Sequence, residues 1–336
     1  MSVRERVGQL LMVGIDSAGP TAANAAVFAS TRAGSVLLLG NSTAGMAAIQ
    51  RVTARVRLDA RRPRGVHTMI AADQEGGLVQ RLKGSGFSTI PSAVSQGKLS
   101  DSTLASAAKT WGRQLKQAGI DVDLAPVADV VPPSMISVNQ PIGVLRRYYG
   151  TDPSVVATKV RAFATGMSSS GIATSVKHFP GLGRVRGNTD LEAGVVDSTT
   201  VRHDAALAGF TAGARAGVDM IMVSSATYAR IDSQRRAAFS PVVIGGMIRG
   251  DLDFRGVVIS DDLAAKAMQD LSPGTRVIDF VRAGGDLAIL GDPTIAESAA
   301  NDLVAETERS DSFSALVTAS ATRVVELKER RGLAEC

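Results

Sequence analysis

The stretch ATSVKHFPG, residues 173–181, places a lysine and a histidine directly behind a short apolar, β-branched run. A later stretch, GVVISDD, residues 256–262, repeats this arrangement with a serine and two aspartates. Polar residues at the ends of apolar strands are typical of (β/α)8 enzymes, whose chemistry lies at the C-terminal rim of the barrel. If both runs are barrel strands, a lysine, a histidine and a carboxylate face one pocket. The arrangement indicates an enzyme that acts on a polar, hydroxyl-rich substrate.

Eight segments of this kind can be recognised along the chain as candidate strands. Most are continuous apolar runs, as expected for parallel strands that are buried on both faces. The predicted strands are Leu10–Gly14, Ser35–Gly40, His67–Asp73, Val122–Ala128, Ala173–His178, Met220–Ala226, Gly256–Asp261 and Asp286–Gly291.

The segments between these strands have the apolar periodicity and the end signals of helices. Thr103–Gly119 carries apolar residues along one face and ends on a glycine. Asp152 and Pro153 predict the N-cap and first residue of a helix that ends near Ser170, and Thr200–Ala216 predicts a third helix. The tail, about residues 295–330, predicts one or two helices that pack outside the strands. Residues 1–336 are therefore predicted to form a single α/β domain, a (β/α)8 TIM-like barrel.

Three longer irregular stretches follow predicted strand ends. They are Gly84–Val94, Val131–Tyr149 and Gly181–Ser198. Long loops in a compact domain are usually functional, so we expect these three to lie over the mouth of an active site.

Composition narrows the class of protein and its partners. The chain has 336 residues, 45% hydrophobic and 4% aromatic, with a net charge of +5. Its basic residues are scattered and form no run, which predicts no nucleic-acid partner. Cys336 is the only cysteine, so no internal disulfide and no thiolate metal cluster is expected.

The beginning of the chain and its hydropathy bear on its compartment. Residues 1–6 lead into a helix-like segment with no apolar core of a signal peptide, and no apolar run is long enough to span a membrane. As written, the chain is expected to be cytoplasmic. An exported protein or lipoprotein from which a signal has been removed would look the same.

A first group of candidate site residues follows the third strand. Asp73 can accept hydrogen bonds from neighbouring sugar hydroxyls, and Arg81 can hold a further oxygen through its fork of donors. The alternative for an acidic residue here is the cap of the next helix. That alternative is favoured for Glu75, whereas a ligand-binding role is favoured for Asp73.

Lys177 and His178 pose a geometric problem, because neighbours in an extended strand point to opposite sides. For both to face a ligand, the strand must end or bulge, and Pro180 and Gly181 directly after them make a break credible. The alternative for His178 is a structural histidine. His67, His178 and His203 are too far apart and too poorly accompanied by carboxylates to suggest a metal site.

The last candidates close the seventh strand. Asp261 ends an apolar run, so its carboxylate would be rigid and partly desolvated, and it is the best candidate for a nucleophile. Asp262 would point away and cap a helix beginning at Leu263.

Three motifs together resemble glycoside hydrolase family 3, in the subgroup of single-domain β-N-acetylglucosaminidases that act on peptidoglycan fragments. They are Asp73–Gly77, Lys177–Gly181 and Ser260–Leu263, in that order along nearly the whole chain. The resemblance implies a retaining exo-enzyme that uses neither a metal nor an organic cofactor. The expected partner is a GlcNAc-containing, muropeptide-like saccharide, and the protein is expected to be a monomer.

The resemblance also assigns roles by position. It makes Asp261 the nucleophile that forms a covalent glycosyl-enzyme. The residues implied to hold the hydroxyls of a terminal N-acetylglucosamine (GlcNAc) are Asp73, Arg81, Lys177, His178 and Arg147. Arg146 is an alternative to Arg147, because two residues are inserted into the family pattern at this point.

One departure from the family concerns the general acid/base. The Asp-Ser-His that usually follows the Pro-Gly-His-Gly loop reads Asn188-Thr189-Asp190 in this chain. Three interpretations remain: Asp190 is the acid/base, another loop carboxylate such as Glu192 or Asp197 serves, or no acid exists. The expected activity is therefore a β-N-acetylglucosaminidase. The alternatives are a β-glucosidase or other β-glycosidase of the family and a catalytically impaired protein that binds GlcNAc or muropeptides.

Overall fold

The computed structural model describes residues 1–60 and 63–334, and Cys336 lies outside them. Thirteen strands are present in the described ranges. They are β1 Leu11–Asp16, β2 Ser35–Leu39, β3 Met69–Ala72, β4 Gln74–Gly76, β5 Val79–Gln80, β6 Val122–Asp123, β7 Ala173–Phe179, β8 Val196–Asp197, β9 Met220–Val223, β10 Thr227–Tyr228, β11 Asp232–Arg236, β12 Val257–Asp262 and β13 Leu287–Leu290.

Eight of these strands close into a parallel barrel in the order β1-β2-β3-β6-β7-β9-β12-β13, with β13 pairing back to β1. The fold is the predicted (β/α)8 barrel, and all eight predicted strands belong to it. The fourth is shorter than predicted, because Pro126 has no N–H to donate to the ladder. Only an isolated bridge between Val127 and Lys177 continues that pairing.

Successive side chains along each barrel strand point alternately into the barrel and towards the surrounding helices, which gives two apolar layers. In β1, Met12 faces the barrel interior, while Val13 faces the surrounding helices. The interior layer is built from aliphatic and methionine side chains, which explains how a chain with few aromatic residues fills its core.

Ten α-helices surround the barrel in the described residues. They are α1 Val3–Gln9, α2 Ala22–Thr31, α3 Met46–Asp59, α4 Ala93–Gln96, α5 Asp101–Gln117, α6 Pro153–Ser168, α7 Ala208–Arg215, α8 Pro273–Arg282, α9 Ala296–Arg309 and α10 Asp311–Arg330. A π-helical segment, Val242–Asp251, lies between β11 and β12. None of the helices in the described ranges has the length and apolarity that crossing a membrane requires.

The helix end signals are confirmed at two places and wrong at a third. The backbone of Gly119 is left-handed (φ +81°) just after α5, and the Asp152 side chain accepts a hydrogen bond from the Ser154 N–H at the start of α6. The third predicted helix begins at Ala208 rather than at Thr200. Asp204 instead caps a short 3-10 turn and pairs with Arg184, so residues 200–204 remain in a loop.

The C-terminal tail forms the two helices α9 and α10, the second of which covers the N-terminal end of the barrel. Val324 and Leu327 pack against the interior layer. The Lys328 ammonium is fully buried and donates to Gln9 Oε1 (2.6 Å) and Gly34 O (2.7 Å), which lie just before β1 and β2. The barrel is therefore closed below by this helix and open only at the opposite end.

Candidate active site

A cavity of about 220 Å³ opens at the C-terminal ends of the barrel strands. Its floor is apolar and includes Leu37, Leu124, Met222 and Ile289. All seven side chains predicted to take part in chemistry or binding line this cavity, namely Asp73, Arg81, Arg147, Lys177, His178, Asp190 and Asp261.

Lys177 is the centre of a buried charged cluster on one wall. Its Nζ lies 2.6 Å from Asp73 Oδ1 and 2.7 Å from Glu75 Oε1. Burial lowers the pKa of Lys177, but the carboxylates of Asp73 and Glu75 more than offset this and raise the pKa above its usual value. Lys177 therefore stays charged although it is almost inaccessible to solvent.

Glu75 joins a second cation to this cluster. Arg147 Nε lies 2.9 Å from Glu75 Oε2 and Arg147 Nη2 lies 2.7 Å from Glu75 Oε1, a two-pronged pair. Burial would raise the pKa of Glu75, but Arg147 and Lys177 hold it well below its usual range. The helix-cap interpretation of Glu75 was wrong, because its side chain is buried beneath the cavity wall.

The two arginine alternatives are separated by the backbone. Arg147 lies on the cavity wall, whereas Arg146 is exposed and has a left-handed backbone (φ +57°) that turns it outward. The structure thus brings Arg147, and not Arg146, to the predicted site.

A β-bulge lets Lys177 and His178 both reach the cavity. Pairing between β7 and β9 runs from Val176–Ile221 to Phe179–Val223, so β7 has one extra residue. The strand bulges rather than ends, and the Lys177–His178 peptide bond within the bulge is cis.

Asp129, which was not among the predicted site residues, orients His178. Its Oδ2 lies 2.8 Å from His178 Nδ1, and its Oδ1 accepts hydrogen bonds from the N–H groups of His178 (3.2 Å) and Leu182 (2.9 Å). Asp129 directly follows the predicted strand Val122–Ala128, so the rule that found Asp73 and Asp261 could have found it as well.

Asp123 is a second functional candidate that the sequence did not reveal. It is fully buried, with Oδ1 accepting from the Gln74 N–H (3.0 Å), and its Oδ2 has no hydrogen-bond partner among the described residues. Burial raises the pKa of Asp123 to about 8, and the charges of Asp73 and Glu75 add to the effect. Below that pH Asp123 is mostly protonated and neutral. Lys177 then faces only two anionic carboxylates, those of Asp73 and Glu75.

Asp261 lies at the end of β12, opposite the charged cluster. Burial raises the pKa of Asp261 to about 6, and the charge of Asp190 adds to this, whereas His178 opposes it. Asp262 Oδ1 accepts hydrogen bonds from the N–H groups of Ala264 (2.8 Å) and Gly291 (2.9 Å). Asp262 therefore caps a turn, and the helix predicted from Leu263 does not form there.

Arg81 retains hydrogen-bonding capacity towards a ligand. Its Nη1 makes a long contact of 3.4 Å with Asn41 Oδ1, and its buried Nε has no partner in the described structure. Gly76 and Gly77, both left-handed at φ +106° and +57°, make the tight turn that brings Arg81 back beside Asp73. The Arg81 N–H donates to Asp73 O at 3.1 Å.

Of the three loop carboxylates considered for the acid/base, only Asp190 lines the cavity. Asp197 is buried in β8, where it accepts hydrogen bonds from Thr199 and Thr200, and Glu192 is exposed to solvent. Asp190 O accepts the Lys266 N–H (3.3 Å), which ties the loop to the segment after Asp261.

A parallel barrel with two carboxylates and a buried charged cluster at its C-terminal rim is the architecture of a barrel glycosidase. The model of the glycosyl hydrolase family 3 N-terminal domain matches residues 2–327. The chain belongs to glycoside hydrolase family 3, and it is a glycosidase with a saccharide substrate.

Similar proteins point to one subgroup of that family. A beta-hexosaminidase of Stenotrophomonas maltophilia (strain K279a) is 31% identical over 302 residues, covering 86% of this chain and 85% of its own. A beta-hexosaminidase of Xanthomonas oryzae pv. oryzae is 32% identical over 275 residues, covering 78% of each chain. The crystal structure of a beta-N-acetylhexosaminidase from Beutenbergia cavernae superposes with a TM-score of 0.96 at 42% identity, covering 98% of this chain and 99% of that one.

Proposed function

We propose that this protein is a retaining exo-β-N-acetylhexosaminidase that removes terminal β-linked GlcNAc from peptidoglycan fragments. The likeness to named hexosaminidases over most of the chain supports the activity. The observation that carries the mechanism is that Asp261, at the end of β12, and Asp190, in the loop after β7, line one cavity and face the cluster around Lys177.

In the first step Asp261 attacks C1 of the sugar. The bond from C1 to the leaving oxygen breaks, and its electron pair goes to that oxygen, which takes the proton of Asp190. In the second step Asp190 removes a proton from water, the water oxygen attacks C1, and the Asp261 carboxylate departs. Two inversions at C1 leave the product in the β configuration.

The charged cluster holds the sugar hydroxyls in this proposal. Asp73 keeps an oxygen for a hydroxyl beyond its pair with Lys177, and Arg81 supplies its Nε, which has no partner within the described part of the chain. Arg147 and His178 complete the set. Because Lys177, Arg147 and Glu75 fix one another, these groups are positioned before the substrate arrives.

The impaired binder is the second candidate, and Asn188 favours it. Asn188 accepts the Asp190 N–H at 3.0 Å and supplies no carboxylate at the position where the family usually has one. The alternative keeps the binding cluster but has no acid.

Hydrolysis of an aryl β-N-acetylglucosaminide and of the matching β-glucoside tests the proposal. We expect turnover of the first, little of the second, and loss of activity in Asp261→Asn. Equal turnover of both would favour a broader β-glycosidase. GlcNAc binding without turnover of either would favour the binder.

A further inference from the structure

Three exposed large apolar side chains directly precede or follow, in the chain, residues that line the cavity. Leu78, Val144 and Leu191 are 66%, 43% and 73% exposed. Each is the chain neighbour of a residue that lines the cavity, namely Val79, Leu145 and Asp190 respectively. We call Leu78, Val144 and Leu191 the apolar rim. The other exposed large apolar residues of the described chain include Leu58 and Leu316, which lie on the outer helices α3 and α10.

The apolar rim belongs to three loops that rise from neighbouring strands. Leu78 lies in the β4–β5 turn after β3, Val144 follows β6, and Leu191 follows β7. Strand β6 pairs with β3 on one side and with β7 on the other. The three loops that carry the rim residues therefore border one sector of the cavity mouth.

Hydrogen bonds connect the three loops to one another. Asn139 Nδ2 donates to Leu182 O at 2.7 Å and to Val185 O at 2.6 Å, which joins the second loop to the third. The pair between Arg147 and Glu75 joins the second loop to the first. The rim residues are thus held on a connected scaffold rather than on independent loops.

We infer that the apolar rim forms a subsite for the leaving group, and that this subsite selects aglycones that present an apolar face. The inference rests on the proposed function, which places the sugar in the charged cavity and the acid on Asp190. The leaving oxygen lies beside Asp190 in that arrangement, so the aglycone passes next to Leu191. Apolar contact there favours a leaving group that presents an apolar face, because covering these side chains removes apolar surface from water.

Hexyl and methyl 1-thio-β-N-acetylglucosaminides test the inference without hydrolysis. They share the sugar and the sulfur linkage and differ in the apolar chain alone. In the unaltered protein we expect calorimetry to give about tenfold tighter binding of the hexyl compound, from the apolar area covered. In the triple variant Leu78→Ser, Val144→Ser, Leu191→Ser we expect a ratio near one, with binding of the methyl compound unchanged.

Leu58→Ser is the matched control. Leu58 is 79% exposed, but it lies near the C-terminal end of α3, at the opposite end of the barrel from the cavity. We expect this variant to keep the full hexyl preference. Two results would overturn the subsite while leaving the proposed function intact. One is equal binding of the hexyl and methyl compounds by the unaltered protein, and the other is a tenfold preference for the hexyl compound that survives in the triple variant. Failure of both thioglycosides to bind would overturn the proposed function and the subsite with it.

Discussion

Lys177 Nζ and Glu75 Oε1 form a 2.7 Å ion pair in which both side chains are almost fully buried. Glu75 also binds Arg147 with both oxygens, so one carboxylate fixes two cations of the cavity wall. The pair fixes two flexible side chains on the cavity wall. In the proposed function, this makes Glu75 a positioning residue for the groups that hold the sugar hydroxyls.

Glu75→Gln therefore removes the anion that holds two buried cations. We expect a loss of about 3–5 kcal/mol in the free energy of unfolding, because one partner of a buried pair is left uncompensated. Urea unfolding measures the loss, and KM for an aryl β-N-acetylglucosaminide should rise with it. Asp253→Asn, which breaks the exposed pair with Arg255, is the control and should change stability by less than about 1 kcal/mol. Equal effects of the two variants would contradict the role of Glu75.

The pH dependence of kcat/KM reports the ionisation of Asp261 in the free enzyme. Burial raises the pKa of Asp261 to about 6, so the carboxylate loses its nucleophilic form as pH falls through that value. With an aryl substrate that needs little acid assistance, we expect kcat/KM to decline below about pH 6. Asp190→Asn removes a neighbouring negative charge, so the decline should move to lower pH. A decline centred near pH 4 in the unaltered protein would refute this description of Asp261.

Asp129→Asn tests whether Asp129 acts through His178. The amide that replaces the carboxylate cannot accept from both His178 N–H groups and from Leu182 at once. We expect a fall in kcat/KM of about tenfold, from the loss of a hydrogen bond between a charged group and the ring. The double variant with His178→Ala should lose no more than His178→Ala alone, whereas additive losses would mean that the two residues act independently.

Lys328→Met tests whether burial at the N-terminal end of the barrel makes Lys328 lose its charge on folding. Burial lowers the pKa of Lys328 to about 7, whereas the unfolded chain keeps an ordinary lysine value of 10.5. Between these values the unfolded state binds more protons, so the free energy of unfolding of the unaltered protein rises with pH. The methionine variant should be more stable below pH 7 by about 1–3 kcal/mol, as for other buried charges replaced by apolar groups. Its advantage should shrink as pH rises from 7 towards 10.5.

Chemical unfolding at several pH values provides the measurement for this prediction. Lys98→Met, at an exposed lysine, is the control and should leave the pH dependence unchanged. An advantage of Lys328→Met that stays constant between pH 6 and 10 would show that Lys328 does not lose its charge on folding.

The fold could be predicted because most barrel strands are continuous apolar runs, and several of them end on polar residues. The end of the fourth strand was less predictable, because Pro126 lacks the N–H that the ladder needs there. The start of α7 was also less predictable, because it depends on the contact between Asp204 and Arg184. That contact joins residues that are distant in sequence, so no local signal reports it.

The cavity residues could be predicted by the same rule, since polar side chains at strand ends meet at one rim. Glu75 could not be assigned, because its partners Lys177 and Arg147 come from other strands and loops. The bulge in β7 was one of two alternatives that the sequence left open. Asp123 required the structure, because burial raises its pKa, with a smaller contribution from the charges of Asp73 and Glu75, and no local pattern in the sequence reports that burial.

The most direct test of the mechanism is the product that Asp190→Ala forms from an aryl β-N-acetylglucosaminide in the presence of azide. The account predicts slow turnover that azide accelerates, and a β-glycosyl azide identified by NMR, because azide attacks the covalent Asp261 intermediate from the face that Asp190 has vacated. An α-glycosyl azide would contradict the double displacement at Asp261. Turnover that azide does not accelerate would contradict the assignment of Asp190 as the acid/base.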